Sequence, residues 1–460
     1  MTAIKKFKEF TSPFIQTSIA PLVIFRIIFG ALMLFGTLRF ILNGWVQDLY
    51  ITPDFYFGYY GFEWIKPLPD NWMYVPFVLI VLSSIGILIG AFYRISASIF
   101  FLAFTYVELL DKTNYLNHYY FVSLVALLMI FVPAHRDFSI DVKLNPSILL
   151  KKVPQWTIRI LQFQLACVYL FAGIAKLHPD WLIDAQPLKL WLQAHRDMPL
   201  FGNLLAQEWV AYAFSWFGCI YDLTIVAFLL SNKWRKFGYF FVIVFHFVTW
   251  YLFPIGVFPW VMIFSTLLFF SIGFHEKILL RLKSILQWNQ QLSPDSSAHL
   301  SKSSLISYIL IIFIGIQLVV PFRYILYPGN LFWNEEGFRF SWRVMLMHKE
   351  GYSTFYIKDK ATNRTMEIKN EHFLTPRQID HMNTQPDMIL QYAHHLKEIY
   401  ADTIVHFGKY SFHIVNPSVH ARIFVTLNGR PSQLYLHEKH DLTQFEYNLN
   451  HRTFLEPLQQ

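Results

Sequence analysis

Lys176 is the residue whose type and position point most directly to chemistry in this sequence. It ends the apolar run that starts at Tyr169, and it follows Ala172 and Gly173, small residues that let neighbouring helices approach closely. A lysine held between helices loses hydration, and desolvation favours its neutral amine form, which can act as a base. A lysine at a membrane boundary can instead extend its ammonium group to water, so both interpretations stay open.

Other polar groups interrupt apolar segments and are functional candidates, because burying them away from water is expensive. Asn117 and His118 open one such segment, Asp222 lies inside a second, and His246 lies inside a third. Asp222 needs either a partner or a proton, and a structural and a functional role are both open. If Lys176, His118 and His246 share one membrane face, they form a candidate proton-transfer site.

A second charged group, Glu108, Asp111 and Lys112, closes an apolar segment with the spacing i, i+3 and i+4. This spacing predicts a local salt bridge at a helix end. The histidines after Pro321 show no metal-ligand spacing, so no metal site is predicted.

The composition is that of a membrane protein. The 460 residues are 55% hydrophobic and only 15% charged, against about 25% charged residues in soluble domains. The formal net charge of +8 is scattered over short loops, so no nucleic-acid partner is predicted. Apolar windows long enough for a bilayer predict about nine transmembrane helices, at residues 20–42, 73–92, 95–110, 116–134, 158–176, 209–230, 237–252, 256–274 and 303–321.

The basic residues of the loops predict the orientation of these helices. With a cytoplasmic N-terminus, most loop lysines and arginines fall on the cytoplasmic side, as the positive-inside rule expects. These include Lys5, Lys6, Lys8, Arg94, Arg136, Lys143, Lys151, Lys152, Lys233, Arg235, Lys236, Lys277, Arg281, Lys283 and Lys302. Nine spans then place the C-terminus, and also Lys176, on the exported side.

The composition changes after Pro321, where mixed polar sequence replaces long apolar runs. Alternating runs at 354–357, 411–415 and 422–427 predict strands, a helix is predicted near 388–400, and Asn428-Gly429 is typical of a hairpin turn. We therefore predict a transmembrane domain at residues 1–321 and an exported α+β domain at residues 322–460 that covers the outer face.

Taken together, these segments resemble the vitamin K-dependent γ-glutamyl carboxylase family, whose membrane part is the horizontally transferred transmembrane (HTTM) domain. The resemblance includes Ala172-Gly-Ile-Ala-Lys-Leu177 and Asn117-His118, and it runs from about residue 20 to the end. Further similar segments are residues 67–72, 93–96, 110–118, 180–181, 221–223, 245–246, 252–258, 341–342, 387–393 and 425–430. The chain looks like a short, bacterial-type member.

The resemblance implies an enzyme of the peptidyl-glutamate 4-carboxylase type. Such an enzyme couples O2-dependent oxidation of reduced vitamin K to its epoxide with carboxylation of glutamate to γ-carboxyglutamate, using CO2. The family's catalytic base corresponds to Lys176, and the histidine that assists it corresponds to His118, beside Asn117. His246, Asp222 and Phe253 are candidates for binding the quinone or the substrate. Arg430 is a candidate for orienting a carboxylate, because a guanidinium group can bind one bidentately.

The implied co-substrates are vitamin K hydroquinone or a related menaquinol, O2 and CO2, without a metal. The implied partners are membrane lipid and a glutamate-containing peptide or protein. Ala175 stands where the animal enzymes have a second lysine, and the tail has no cysteine, so propeptide-dependent carboxylation is not expected. Two alternatives stay open: a quinol epoxidase without protein carboxylation, and a non-catalytic membrane transporter or scaffold.

Overall fold

The computed structural model describes residues 15–288, 304–407 and 410–459. Lys5, Lys6, Lys8 and Lys302, which contribute to the predicted orientation, lie outside these residues. Ten helices form the membrane part of the described chain: α1 (Ala20–Leu42), α2 (Tyr74–Ile89), α3 (Tyr93–Leu110), α4 (Asn117–Phe131), α5 (Trp156–Ala175), α6 (Glu208–Leu230), α7 (Arg235–Leu252), α8 (Phe258–Ser265), α9 (Ile272–Ile285) and α10 (Ser304–Val319).

Shorter elements connect these helices. Short helices are Trp45–Tyr50, Ile140–Leu144, Pro179–Leu182, Leu188–Gln193, Gly202–Leu205 and Leu331–Asn334. Turns of 3₁₀ helix are Asp70–Met73, Lys112–Asn114, Pro146–Ile148, Thr266–Phe269, Val320–Leu326, Asn370–His372 and Leu442–Gln444. Strands β1 (Gln16–Ser18) and β2 (Lys152–Pro154) form an antiparallel pair.

The predicted nine spans are not confirmed. Within the described residues, six helices are long and apolar enough to cross a membrane, or seven spans if the bent pair α8–α9 counts as one. Helix α4 has only 15 residues, α7 begins with the charged Arg235 and Lys236, and the chain bends by 111° between α8 and α9. Apolar length along the sequence therefore overstates the number of regular membrane-crossing helices.

The C-terminal domain packs on loops that the sequence predicts on one side of the membrane. The Gln391 side chain donates a hydrogen bond to the carbonyl of Gly58, in the α1–α2 connection. The Gln378 amide donates to Asp111, in the α3–α4 connection, at 3.1 Å. Alternate connections thus meet the same domain, as expected if successive helices run in opposite directions.

The predicted local salt bridge among Glu108, Asp111 and Lys112 is wrong. Lys112 Nζ instead lies 2.6 Å from Asp387, which is 275 residues away along the chain. Asp111 accepts a hydrogen bond from the backbone N–H of Thr113, and this caps the following 3₁₀ turn. The helix ends at Leu110, so these residues do not share the regular helical face that the spacing rule requires.

Close packing of α5 against α6 places the lysine that ends α5. A Cβ atom added to Gly173 would lie 2.9 Å from the backbone nitrogen of Leu223, so only glycine fits there. The small residues before Lys176 therefore bring two helices together, as predicted. The next residue before Leu223 is Asp222, which consequently faces the end of α5.

The C-terminal domain has the predicted α+β architecture. Strands β3 (Lys349–Asp359), β4 (Thr365–Ile368), β7 (Pro417–Leu427) and β8 (Gln433–Leu436) form an antiparallel sheet in the order β4-β3-β7-β8. A separate hairpin pairs β5 (Thr403–Phe407) with β6 (Tyr410–Ile414). Helices α11 (Pro376–Met382) and α12 (Pro386–Tyr400) accompany the sheet, and Tyr392 of α12 packs edge-on against Phe355 of β3.

The β7–β8 connection begins with the predicted turn. Asn428 has φ 50° and Gly429 has φ 79°, two positive values of the kind that asparagine and glycine accommodate readily. The Asn428 side chain also accepts a hydrogen bond from the backbone N–H of His348 at 2.8 Å. The predicted domain boundary at residues 321 and 322 falls within the turns Val320–Leu326 at the end of α10, and it stays a prediction.

Candidate active site

Lys176 forms a buried ion pair with Asp222. The Lys176 Nζ atom lies 2.7 Å from Asp222 Oδ2, and the two side chains are only 7% and 6% exposed. A second, longer contact joins Nζ to the carbonyl oxygen of Ala172 at 3.4 Å. Lys176 is therefore held between helices, so the snorkelling alternative is not what the structure shows.

Trp181 forms one wall of the lysine environment. Its ring lies with its centroid 5.3 Å from Lys176 Nζ, within the range of a cation–π contact. The indole N–H donates to the carbonyl of Ser215 at 2.9 Å, and this fixes the ring against α6. The sequence places Trp181 in a segment similar to the family but indicates no role for it.

Lys176 and Asp222 line a cavity of about 360 Å³. Most of its wall is apolar, and His246 and Phe253 belong to the same wall. This volume and this sparse set of polar groups are typical of a site for a small organic ligand. The structure thus brings together four of the seven residues proposed from the sequence.

The cavity borders a partly exposed region of the helix bundle. Phe217 of α6 and Val244 of α7 line it, and these residues are 41% and 36% exposed. An apolar molecule dissolved in the bilayer could therefore reach the cavity from the side, between α6 and α7.

His246 is fixed by a tyrosine. Its Nε2 atom lies 3.1 Å from the hydroxyl of Tyr169, which lies on α5 about two turns before Lys176. Both side chains are buried and both line the cavity. The imidazole is thus held in one orientation, with one nitrogen engaged by the phenol.

His118 and Asn117 line a different cavity. His118 stacks on Phe258 with ring centroids 5.2 Å apart, and His246 meets the same phenylalanine edge-on at 6.2 Å. Phe258 therefore separates the two histidines, which the sequence had placed in one site. The Asn117 amide donates to the carbonyl of Arg343 at 2.9 Å and so contacts the exported domain.

Arg430 binds a carboxylate of the chain itself. Its two terminal nitrogens each lie 2.8 Å from an oxygen of Asp180, and Asn428 donates to the same carboxylate at 2.8 Å. Burial opposes ionisation of Asp180, but the bonds from Arg430 and Asn428 hold its pKa below the ordinary value. The bidentate recognition expected for Arg430 is present, with an internal partner four residues after Lys176.

We predict that Arg430→Ala lowers the free energy of unfolding by about 1–3 kcal/mol, because it leaves a largely buried carboxylate without its main partner. Arg430→Lys should lose less, since lysine keeps the charge without the paired geometry. Thermal unfolding in detergent measures both, with Arg364→Ala as the control on the exposed surface. A large rise in glutamate KM at unchanged stability would instead return Arg430 to substrate binding.

Within the described parts of the chain, no group of three histidine, cysteine, aspartate or glutamate side chains is placed to hold a metal ion. The polar groups that line the apolar cavity include an amine, a carboxyl group, an imidazole and a phenol.

Comparison with known protein families identifies the family of this chain. Residues 14–273 match the family model of the HTTM domain. Residues 302–460 match the model of the vitamin K-dependent gamma-carboxylase lumenal domain. The chain belongs to the vitamin K-dependent γ-carboxylase family. No solved structure matches it.

Membership in the γ-carboxylase family has general consequences. The family implies vitamin K as cofactor and a protein substrate that contains glutamate, and the match to a lumenal domain indicates that the C-terminal domain is exported. An apolar cavity next to a lysine fits a quinol, whose ring and tail are apolar and whose hydroxyl groups need polar partners.

Proposed function

We propose that this γ-carboxylase family member oxidises reduced vitamin K or a related menaquinol and uses the reaction to carboxylate glutamate. The observation that carries the proposal is the Lys176–Asp222 pair in an apolar cavity, beside partly exposed residues of α6 and α7. In the proposed orientation the N-terminus is cytoplasmic and the exported domain covers the outer face.

Asp222 supplies a proton acceptor for the catalytic lysine in a site with little water. A buried ion pair needs good geometry to offset the loss of hydration. The Lys176 Nζ and Asp222 Oδ2 atoms are 2.7 Å apart, so one proton can pass between them and leave a neutral amine beside a neutral acid. The neutral amine can then accept a proton from a quinol hydroxyl. Asp222 thereby acts as the proton acceptor that frees Lys176 for this step.

The remaining residues position the reactants and exclude water. When bound, the quinol together with O2 would supply the base that takes up the glutamate γ-proton; its oxidation to the epoxide would drive this step, and CO2 would add to the resulting γ-carbanion. His246, oriented by Tyr169, is placed to hydrogen-bond the quinol inside the cavity. The apolar wall, including Phe253, keeps bulk water from the reacting groups.

Quinol oxidation is tested directly with purified protein in lipid nanodiscs. We expect reduced vitamin K and O2 to give the epoxide, quantified by chromatography, at a rate that depends on protein concentration. A folded sample that forms no epoxide from vitamin K hydroquinone or menaquinol would contradict the proposal and favour a non-catalytic role.

We predict that His118→Ala lowers the rate of quinol oxidation, but by less than replacement of Lys176, because His118 lies beyond Phe258. His118→Phe keeps an aromatic ring for the stack on Phe258 and removes both ring nitrogens. If the imidazole assists the base, both variants lose rate equally. Full activity in His118→Phe would show that only the stacking matters.

A further inference from the structure

A larger cavity, of about 760 Å³, lies beside the proposed quinol cavity. Its wall includes the outer part of α1, the start of α4 and, from the exported domain, α11. The two cavities share Ile255, Phe258, Val344 and Met345 as lining residues. We call these four residues the partition, because they lie at the boundary of the two spaces and line both.

Two arginines place positive charge in the wall of the larger cavity. Arg39 reaches it from α1 and stacks on Trp45 at 4.8 Å, and Arg377 reaches it from α11. Arg39, Arg377 and Tyr119 all line this one cavity. Within the described residues, neither arginine has an ion-pair partner.

Most of the other charged groups of this cavity already have an ion-pair or hydrogen-bond partner in the chain. Lys112 and Arg339 share Asp387, and Glu335 pairs with Lys349. Glu108 is bonded to Ser123, and the exposed Asp48 is the remaining carboxylate of the wall. The two arginines therefore provide donors that an incoming anion can use, in a space bounded by the membrane and exported domains.

We infer that Arg39 and Arg377 bind the carboxylate of the glutamyl side chain that is to be modified. This inference rests on the proposed function and locates its second substrate. Guanidinium groups recognise carboxylates with paired, charge-assisted hydrogen bonds. Arg430, the residue first suggested for this task, is occupied by Asp180.

The position of the two arginines fits a peptide substrate that arrives from the exported side. Arg377 belongs to the exported domain, whereas Arg39 belongs to a membrane helix, so a peptide held between them is clamped at the domain boundary. Because the partition residues line both cavities, the bound glutamate lies directly beside the quinol cavity. Phe258, at its centre, touches both His118 and His246.

Peptide binding tests this inference without any need for catalysis. Full-length protein in nanodiscs is titrated with a fluorescent peptide that contains glutamate and with the same peptide carrying glutamine. We expect wild type to prefer the glutamate peptide, and Arg39→Gln and Arg377→Gln each to weaken its binding about tenfold while leaving the glutamine peptide unaffected. Arg39→Lys and Arg377→Lys should retain part of the preference, since they retain the charge.

The matched control is Arg364→Gln, which removes an exposed arginine of the exported domain outside the cavity wall. Unchanged glutamate binding in both cavity variants, or an equal loss in the control, would overturn the inference, as would a wild type without preference for glutamate. Epoxide formation by wild type in the absence of peptide reports separately on the proposed function. Glutamate preference without epoxide would therefore leave the arginine site standing and contradict the quinol chemistry.

Discussion

Lys176→Ala is expected to lower quinol oxidation by about 10²–10⁴-fold, the usual contribution of a general base. The reason is that the substitution removes the amine that accepts the quinol proton. The rate of epoxide formation at neutral pH, at saturating quinol and O2, measures the effect. Lys189→Ala is the control, because this lysine also lies on the connection after α5 but pairs with Glu208 away from the cavity.

Asp222→Asn is the variant with which Lys176→Ala is compared, and it distinguishes a catalytic lysine from a structural one. Lys176→Ala and Asp222→Asn both break the same ion pair, so a purely structural role for the lysine predicts similar losses of activity. With Lys176 as base, Asp222→Asn keeps the amine, and burial without a carboxylate partner still favours its neutral form, so the variant should lose only about tenfold, equivalent to about 1.4 kcal/mol. Comparable activity in the two variants, at comparable folded fractions, would remove Lys176 from the base role.

Asp387→Asn is expected to have the largest effect on stability. Asp387 lies 2.6 Å from Lys112 Nζ and 2.7 Å from an Arg339 nitrogen, so one carboxylate serves two cations. Its loss leaves both cations without their anion, which should lower the free energy of unfolding by about 3–5 kcal/mol. Lys112→Met should be much milder, because it leaves a one-to-one pair of Asp387 with Arg339. Equal destabilisation by the two substitutions would contradict this arrangement.

The pH dependence of stability provides a second check on the same group. Burial lowers the pKa of Lys112 to about 8 from its ordinary value of 10.5, although Asp387 partly opposes this change. Between these two values the unfolded chain binds more protons than the folded chain, so the contribution of Lys112 to stability rises with pH. The rise should be absent in Lys112→Met, as measured by chemical unfolding between pH 8 and 10.5.

Features set by neighbouring residues could be predicted from the sequence. The apolar runs predicted most helices, the alternating runs predicted β3, β6 and β7 in part, and Asn428-Gly429 predicted a turn with positive φ angles. Each of these signals depends on residues that lie close together in the sequence. The number of spans was less predictable, because the bend between α8 and α9 depends on packing.

Contacts between distant residues could not be predicted in the same way. The sequence leaves Lys176 either buried between helices or extended to water, and Asp222 with either a partner or a proton, because nothing local joins two residues 46 positions apart. Arg430 was expected to hold a carboxylate, and only the fold shows that Asp180 provides one. Arg39 and Arg377 gave no signal at all, since each is an ordinary arginine until the domains meet.

The central claim is that quinol oxidation is coupled to glutamate carboxylation, and one assay measures both reactions. Wild-type protein in nanodiscs receives reduced vitamin K, O2, labelled bicarbonate and a glutamate peptide, and epoxide and fixed label are quantified in the same sample. We predict that both form, and that the glutamine peptide fixes no label. Epoxide formation without label fixation on the glutamate peptide would contradict the claim and leave a quinol epoxidase that does not carboxylate protein.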